Sequence, residues 1–547
     1  MPCIFRIIAL SAVVFLCLAQ PSAVTSGPAV SDSLYNAHHP RLLFTSADLP
    51  ALYAKVRDGG HDDDAYQYLR YLAEQLYPPL TFEELLANGW GLNTIPNLGV
   101  AAFGESPVDT AAIRLGRDVT VYIAQQFNVD NKEADSGLRL RSLALGYDLF
   151  FGDAPESLRT FVRDEIISYV QHITGSFIYG LFAWRPYLAN HTAMFSGPLG
   201  LAAICLQDEA DAQILDDAMT MADALIDSLL THQFDPDGSY KEGCLYGAWT
   251  LRQLIFYFDA RKRFDGFRYA DHPRIREAEN WFAYEISPEG WGKTNNLNDS
   301  PYSSTPLGRH STYFDWAQTA WNSGLSAWLW EHTAGPHGFD HQILADKAAT
   351  ALWNLGLPPV APDSLLPRSQ LWLDRGLYYF RTGWPGGLGG DDVVFSFFSG
   401  KFHGGHAQED QNHFTLHAYG KRFAIDHGAG DTAKQSEAHN MVFIDGAGQH
   451  NAGSSIGTDG RIVGYLLSGF ADYVQGDATS AYTTYSEFNR ADWPFPGFDW
   501  SWGYSGSNPV DFALRNVVVV HDTSTPPYVV IVDDIDKDGT PHEYQWR

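Results

Sequence analysis

Leu355-Gly356-Leu357-Pro358-Pro359-Val360-Ala361-Pro362-Asp363 divides the chain. Its prolines and glycine cannot continue a helix, and the spacing of apolar residues changes across it. Upstream, from about residue 45 to 354, the spacing is helical, as in Asp64–Leu72, Leu225–Leu230 and Leu251–Phe258. Such amphipathic stretches recur, punctuated by Gly, Pro and Asp. No strict repeat is present, and an array of helical hairpins is the natural architecture. Downstream the period is two. Asp392–Phe398 reads as a strand, and Phe414–Asp426 as a hairpin with Gly420-Lys421 at its turn. Val517–Val520 and Tyr528–Val532 read as a strand pair flanking Thr525-Pro526-Pro527. The sequence stops at Glu543–Arg547, inside what reads as another strand, so the expectation is a sheet domain truncated at its C-terminus. Helices followed by strands predict an α+β protein of two packed domains, not a parallel α/β sheet.

Composition narrows the class. The 547 residues are 45% hydrophobic and 18% charged, which fits a globular protein and excludes wholesale disorder. The net charge of −29 argues against a nucleic-acid partner, which would call for a basic stripe. A polyanionic substrate stays open, because a local basic pocket can sit inside an acidic protein without long-range steering. The 14% aromatic content suits core or sugar-facing surfaces.

Arg6 is the only charge in the first 23 residues, and the apolar run Ile7–Ala19 follows it. This reads as a signal peptide over residues 1–23, cut after Ala19 or Ala23, and implies a periplasmic or secreted protein. Phe15-Leu16 before Cys17 makes a poor lipoprotein signal. No later stretch is long and apolar enough to span a bilayer. Cys3 and Cys17 leave with the signal. Cys205 and Cys244 either form one disulfide or stay as two buried thiols, and their apolar helical surroundings favour the thiols.

Seven of the 20 histidines lie between residues 403 and 450: His403, His406, His413, His417, His427, His439 and His450. His417, His427 and His450 read as members of a hydrogen-bonded polar loop. His406, Asp410, Asp426 and His439 do not fit that account together. Imidazoles and carboxylates gathered from strand ends are the usual makings of a zinc or catalytic site.

Gly405-His406-Ala407-Gln408-Glu409-Asp410, followed by a strand and Ala424-Ile425-Asp426-His427-Gly428, resembles the signature loop of the heparinase II/III-like polysaccharide lyases, a domain shared by oligoalginate lyases. His439–Gln449 resembles the family's next strand. Upstream, His39-Pro40-Arg41-Leu42-Leu43-Phe44, Asn190-His191 and Glu242-Gly243-Cys244-Leu245-Tyr246 resemble its opening, its Asn-His pair and its Glu-Gly-x-x-Tyr helix start. The motifs occur in family order along nearly the whole mature chain. The resemblance implies an incomplete alpha/alpha toroid, placed at residues 38–360, followed by an antiparallel β-sandwich at 366–547. The family has His-x-His where this chain has His406-Ala407-Gln408, and glutamine is a poor zinc ligand. The implied metal set is Gln408, Asp426 and His439, holding one structural zinc ion; no other cofactor is implied.

The resemblance implies β-elimination at a uronic acid, by a carbon–oxygen lyase acting on an anionic polysaccharide of alginate or glycosaminoglycan type. Asn190 and His406 would neutralise the carboxylate, while His191 and Tyr246 would form the base and acid pair. Trp184, Arg185, Glu242 and His403 are candidate substrate contacts. Blander readings stand beside these. Asn190-His191-Thr192 is a glycosylation sequon. Tyr246 suits a toroid core, Glu242 suits a helix first turn, and Arg185 suits a salt bridge as well as a carboxylate clamp. The aromatic loop Trp493–Tyr504 suits either a sugar platform or a flap, and Asn298-Asp299-Ser300 and Arg309-His310 can line the cleft. Competing functions are a uronate C5-epimerase, a glycoside hydrolase and a non-catalytic glycan binder. The hydrolase needs an opposed carboxylate pair, and none stands out.

Overall fold

The computed structural model describes residues 39–547 except 87–92, 127–132, 179–189, 290–292, 296, 299, 301–306, 308–310, 334–346, 385–390, 402–405, 407, 430–434, 450–457, 484–507 and 523–525. The expected signal peptide therefore lies outside the described residues, as does the whole of the expected aromatic loop. No described helix is long and apolar enough to cross a membrane.

The helical part runs through α1 (Leu49–Lys55), α2 (His61–Tyr71), α3 (Phe82–Leu86), α4 (Thr94–Phe103), α5 (Thr110–Gln125), α6 (Glu133–Phe150), α7 (Glu156–Ile178), α8 (His191–Cys205), α9 (Ala212–His232), α10 (Cys244–Asp265), α11 (Pro273–Glu285), α12 (Thr312–Trp321), α13 (Gly324–Thr333) and α14 (Lys347–Trp353). Their side-chain patterns sort them into layers. In α9 the buried residues Leu215, Ala218, Ala222, Leu225, Ile226, Leu229 and Leu230 recur at three- and four-residue spacing, the single stripe of an outer helix. In α8 every residue from Thr192 to Cys205 is buried, as an inner helix requires.

Glycines let the inner helices touch. A Cβ on Gly137 of α6 would lie 1.9 Å from the Met194 carbonyl oxygen of α8, and one on Gly197 of α8 would lie 2.5 Å from that of Gln253 in α10. The direction of travel follows from the pairs. Gly137 meets Met194 while Ala144 accepts from the Cys205 thiol at 3.3 Å. Gly197 meets Gln253 while Gly200 meets Tyr257. The helices α6, α8 and α10 therefore run parallel, with their N-termini at one end of the toroid, and α7 and α9 return outside them.

The opening segment is pinned to that inner layer. His39 places Nδ1 2.7 Å from Asp148 Oδ1 and Nε2 2.6 Å from Glu209 Oε1. The backbone N–H groups of Arg41 and Leu42 donate to the same Asp148 carboxylate. Burial works against a proton on His39, but the two carboxylates outweigh it and its pKa is raised.

Beyond the proline-rich linker come β1 (Ser369–Trp372), β2 (Leu377–Arg381), β3 (Val394–Phe398), β4 (His413–Ala418), β5 (Lys421–Ala424), β6 (Val442–Ile444), β7 (Arg461–Leu466), β8 (Ala471–Asp477), β9 (Phe512–Val520), β10 (Tyr528–Asp536) and β11 (Tyr544–Trp546). They form a five-stranded sheet in the order β1 to β5, a four-stranded sheet β10-β9-β8-β7 and the pair β11-β6, all antiparallel. Tyr378, Phe380, Phe395, Phe397 and Phe414 pack against Val474, Val517 and Val519 between the two larger sheets. This is the expected α+β class, with helices followed by an antiparallel sandwich. The paired valine strands appear as β9 and β10, with Val520 opposite Tyr528. The expected Gly420-Lys421 turn is one residue early instead. Tyr419 and Gly420 hold the positive φ values of 53° and 65° that a two-residue hairpin turn needs, and Lys421 already pairs with Ala418.

The two parts are bolted at the end of α11. Arg381, fully buried, donates through Nη1 to the carbonyls of Tyr284 (2.8 Å) and Ile286 (2.6 Å), and Trp384 Nε1 donates to that of Ala283 (2.8 Å). These are the carbonyls a helix end leaves unpaired. Arg422 of β5 adds an ion pair to Glu289 at 3.1 Å.

Two outcomes follow. Arg381→Met strands two buried carbonyls and should cost about 2–5 kcal/mol in denaturant unfolding; a loss within experimental error would show that the bolt carries no stability. The stability that His39 gains from its carboxylates is fully present below the ordinary histidine value of 6.5 and is lost as pH rises through its raised folded value. His39→Asn should flatten that part of the stability–pH curve, and an unchanged curve would refute the linkage.

Candidate active site

The parallel inner helices deliver their first residues to one place. Asn190 precedes α8, and His191 is its first residue. The chain approaches α10 through a Phe234–Tyr240 bridge and a turn closed by Gly238 N–H to the Asp235 carbonyl. At Gly243 φ is +89°, and a Cβ there would meet the Asn298 side chain at 2.9 Å, so glycine is required. Tyr246 is then the third residue of α10. Asn298, itself at φ +61°, is held through its Oδ1 by Arg375 Nη2 at 2.7 Å, and Arg375 lies over the Phe398 ring at 4.5 Å. A buried arginine from the sheet part thus braces the loop beneath α10.

Glu242 binds the two helix starts together. Its Oε2 accepts from the Asn190 backbone N–H at 2.6 Å and from the Tyr240 hydroxyl at 3.0 Å. Asn190 Nδ2 lies 3.3 and 3.2 Å from Oε1 and Oε2. Tyr240 in turn accepts from Thr250 Oγ1 at 3.0 Å. Burial raises the Glu242 pKa, and the His406 imidazole and these donors offset only part of that rise. The expectation that Glu242 contacts substrate is corrected here. Its carboxylate is 1% exposed and spent on Asn190 and Tyr240, so it positions other residues. The sequon reading of Asn190 also falls away, because the side chain is buried and its amide nitrogen is engaged.

His406 comes from the sheet part and stacks on Tyr246, with ring centroids 3.6 Å apart and planes 12° apart. Its backbone is left-handed, at φ +65°. That conformation is uncommon for a non-glycine residue and clusters at functional sites. His191, the first residue of α8, is exposed. Loss of hydration lowers its pKa first, and the neighbouring His406 lowers it further, so the ring is neutral near pH 7. Asn190, His191, Tyr246 and His406 thus lie close together, linked by the Glu242 contacts to Asn190, the Tyr246–His406 stack and the His406–His191 interaction. Trp184, Arg185 and His403 lie outside the described residues, as do Asp299, Arg309 and His310. Cys205 and Cys244 are free and buried.

A second cluster lies behind His406 in the sheet part. Asp426 Oδ2 is 3.1 Å from His413 Nε2 and 3.1 Å from His439 Nδ1. Ligand atoms of these three buried side chains all lie within 4.8 Å of one another. Burial opposes ionisation of Asp426, but the two imidazoles outweigh it and hold its carboxyl below the usual range. To the expected Asp426 and His439 the structure adds His413, while Gln408 donates through Nε2 to the Gly428 carbonyl at 2.9 Å. Two imidazoles and a carboxylate fit zinc. His439 Nε2 is buried without a hydrogen-bond partner, as are both Asp410 carboxylate oxygens, and such atoms are what a cation satisfies. His413 is the first residue of β4. Its Nδ1 accepts from the Asn440 N–H at 2.8 Å, which aims Nε2 at Asp426. The histidine-rich segment contained that signal, but no motif singled out His413. Tyr240 and Arg375 carried no motif at all.

No protein-family model matches the chain, and no curated protein is similar to it in sequence. Solved structures do match. Heparinase III superposes with a TM-score of 0.56 at 12% identity, over 92% of this chain and 74% of that one. Heparan sulfate lyase HepC from Pedobacter heparinus gives 0.50 at 13% identity, over 89% and 73%. The chain therefore has a heparinase-like fold, and at such identity the likeness speaks to fold alone.

The metal cluster is directly testable. Elemental analysis of the purified chain should find about one zinc per molecule, lost in His413→Ala and retained in Gln408→Ala. Zinc retained without His413, or lost with Gln408 alone, would return the site to the sequence-based assignment.

Proposed function

We propose that the chain is a polysaccharide lyase (EC 4.2.2.-) that cleaves a uronic-acid-containing polymer by β-elimination. The observation that carries this reading is the meeting of Asn190, His191 and Tyr246 from the helical part with His406 from the sheet part. Uronate elimination needs such a set. One group takes the C5 proton, one protonates the oxygen leaving C4, and polar groups hold the carboxyl as enolate-like charge develops. His191, neutral near pH 7, suits the base. Tyr246 suits the acid, since its phenolic O–H can pass a proton to the leaving oxygen. Asn190 and His406 hold the carboxyl. The base's proton, the new C4–C5 double bond and the expelled C4 oxygen balance without water or an oxidant.

The heparinase III and heparan sulfate lyase folds favour a glycosaminoglycan over alginate as the polymer. A zinc ion held by His413, Asp426 and His439 would supply structural cross-linking near the His406 loop. The proposed setting is periplasmic or secreted, from the leader reading of residues 1–23. A uronate C5-epimerase would draw on the same residues, and product absorbance separates the two, since only elimination creates the conjugated double bond.

A panel of heparan-type, chondroitin-type and alginate polymers should yield ultraviolet-absorbing product on at least one. On that substrate Tyr246→Phe should lower kcat roughly 10²–10⁴-fold with little change in binding. Asn190→Ala should also lower kcat more than it raises KM, because the charge it meets exists mainly in the transition state. Near-normal turnover by Tyr246→Phe would remove Tyr246 from the mechanism.

A further inference from the structure

Beneath the start of α10, where the two parts of the molecule join, four side chains bury polar atoms that lack a hydrogen-bond partner. The atoms are Glu285 Oε2 and Trp281 Nε1 of α11, both amide atoms of Asn295, and the Tyr379 hydroxyl of β2. None of the four residues is more than 2% exposed. A short turn folds Asn295 back onto Glu285: Ile286 bridges Thr294, and the Asn295 N–H donates to the Glu285 carbonyl at 3.0 Å. The Tyr379 hydroxyl and the Trp281 indole face the Glu285 carboxyl, and Asn295 faces Tyr379. These groups stand at the edge of hydrogen bonds without completing them. Burial pushes the Glu285 pKa up to about 7, against the pull of Tyr379, Arg375, Trp281 and Arg381. Such a carboxyl has two states. As the acid it is neutral and can donate its own O–H. As the carboxylate it only accepts, and it draws in a cation or strong donors.

Each neighbouring element turns a titratable or charged group toward it. The first residue of α10 is Cys244, whose buried thiol feels Glu285. Strand β2 brings Tyr379 and Arg381, and the turn before it brings Arg375. Arg381 is already engaged by the carbonyls of Tyr284, Ile286 and Gly383. Arg375 is contested. Asp410, Asp235 and Glu285 all act on it, and its Nη2 donates to Asn298 Oδ1 at 2.7 Å. Asn298 packs against Gly243, where α10 begins, and Tyr246 follows three residues on. We propose that Glu285 is a positioning residue: its acid form leaves Arg375 on Asn298 and the start of α10 in place, whereas its carboxylate form competes with Asn298 for the guanidinium and unseats Tyr246. The inference rests on the lyase reading for what Tyr246 does, and on this joint for how Tyr246 is held. Turnover then has two limits. His191 must lose a proton to act as base, and Glu285 must keep its own.

The test follows pH with the full chain. On the polymer that yields ultraviolet-absorbing product, kcat/KM should fall roughly tenfold between about pH 7 and about pH 8.5. Glu285→Gln keeps the shape of the acid form and cannot ionise, so that descent should disappear. A residue that only supported the fold would lower activity alike at every pH. A second readout uses no substrate. With ring-¹³C tyrosine, and the Tyr246 signal assigned through Tyr246→Phe, that signal should show an inflection near pH 7 that Glu285→Gln abolishes. A descent and an inflection that both survive Glu285→Gln overturn the inference and leave the lyase reading standing. A polymer panel without product removes the lyase reading, and the Tyr246 signal then decides the joint: an inflection lost in Glu285→Gln upholds it, and one retained overturns it. Should Glu285→Gln fail to fold, Tyr379→Phe takes its place. Loss of a donor to the carboxylate should move both midpoints to higher pH, and unmoved midpoints overturn the inference.

Discussion

The Glu242 carboxylate is the contact on which the cleft depends. It lies in the short segment that leads into α10, yet it accepts hydrogen bonds from Asn190, which precedes α8, as well as from Tyr240. Remove it and α8 and α10 still pack through their glycine contacts, but the hydrogen bonds that tie the residue before α8 to the segment before α10 are lost. A buried carboxylate is expensive unless its lone pairs are filled with charge-assisted bonds, and here they are filled by the groups that need orienting. The same bonds supply rigidity and electrostatic compensation.

The parallel course of α6, α8 and α10 bears on how a chain of net charge −29 could receive the anionic polymer proposed as its substrate. Each inner helix points its N-terminus, the positive end of its dipole, toward the cleft. The acidic side chains that make up the net charge are spread over the molecule, whereas the dipoles and His191, Tyr246 and His406 converge. The net charge would give the proposed polymer no long-range attraction, so these converging groups would have to receive it at short range.

Much of this was legible in the sequence, for identifiable reasons. The change of period at Leu355–Asp363 is a local property of apolar spacing, so the passage from helices to an antiparallel sandwich could be read directly. Asp426 and His439 were legible because a carboxylate and an imidazole at strand ends have few bland explanations. Three features were hidden, each for a physical reason. His413 looked like an ordinary strand residue, because its approach to Asp426 is set by the pairing of β4 with β5 and by the Asn440 N–H on its other nitrogen. Glu242 looked exposed to substrate, because sequence cannot show that Asn190, 52 positions away, fills its lone pairs. The hairpin turn slipped by one residue because Tyr419, not Lys421, takes the left-handed backbone, which composition alone would have assigned to the neighbour of glycine.

The glycine contacts between inner helices also bear on how such a chain can diverge. Gly137 and Gly197 pack against carbonyls of the next helix at distances that admit no side chain. They act as fixed register marks. A single residue inserted or deleted between Asn190 and Gly197 would rotate His191 by roughly 100° about the helix axis relative to those marks. It would leave the cleft without disturbing the hydrophobic pattern. Length variation is therefore barred from the inner helices and confined to the loops at their ends. Descendants of this scaffold can change what they grip by rebuilding those loops, but they inherit the spacing of the reacting groups unaltered.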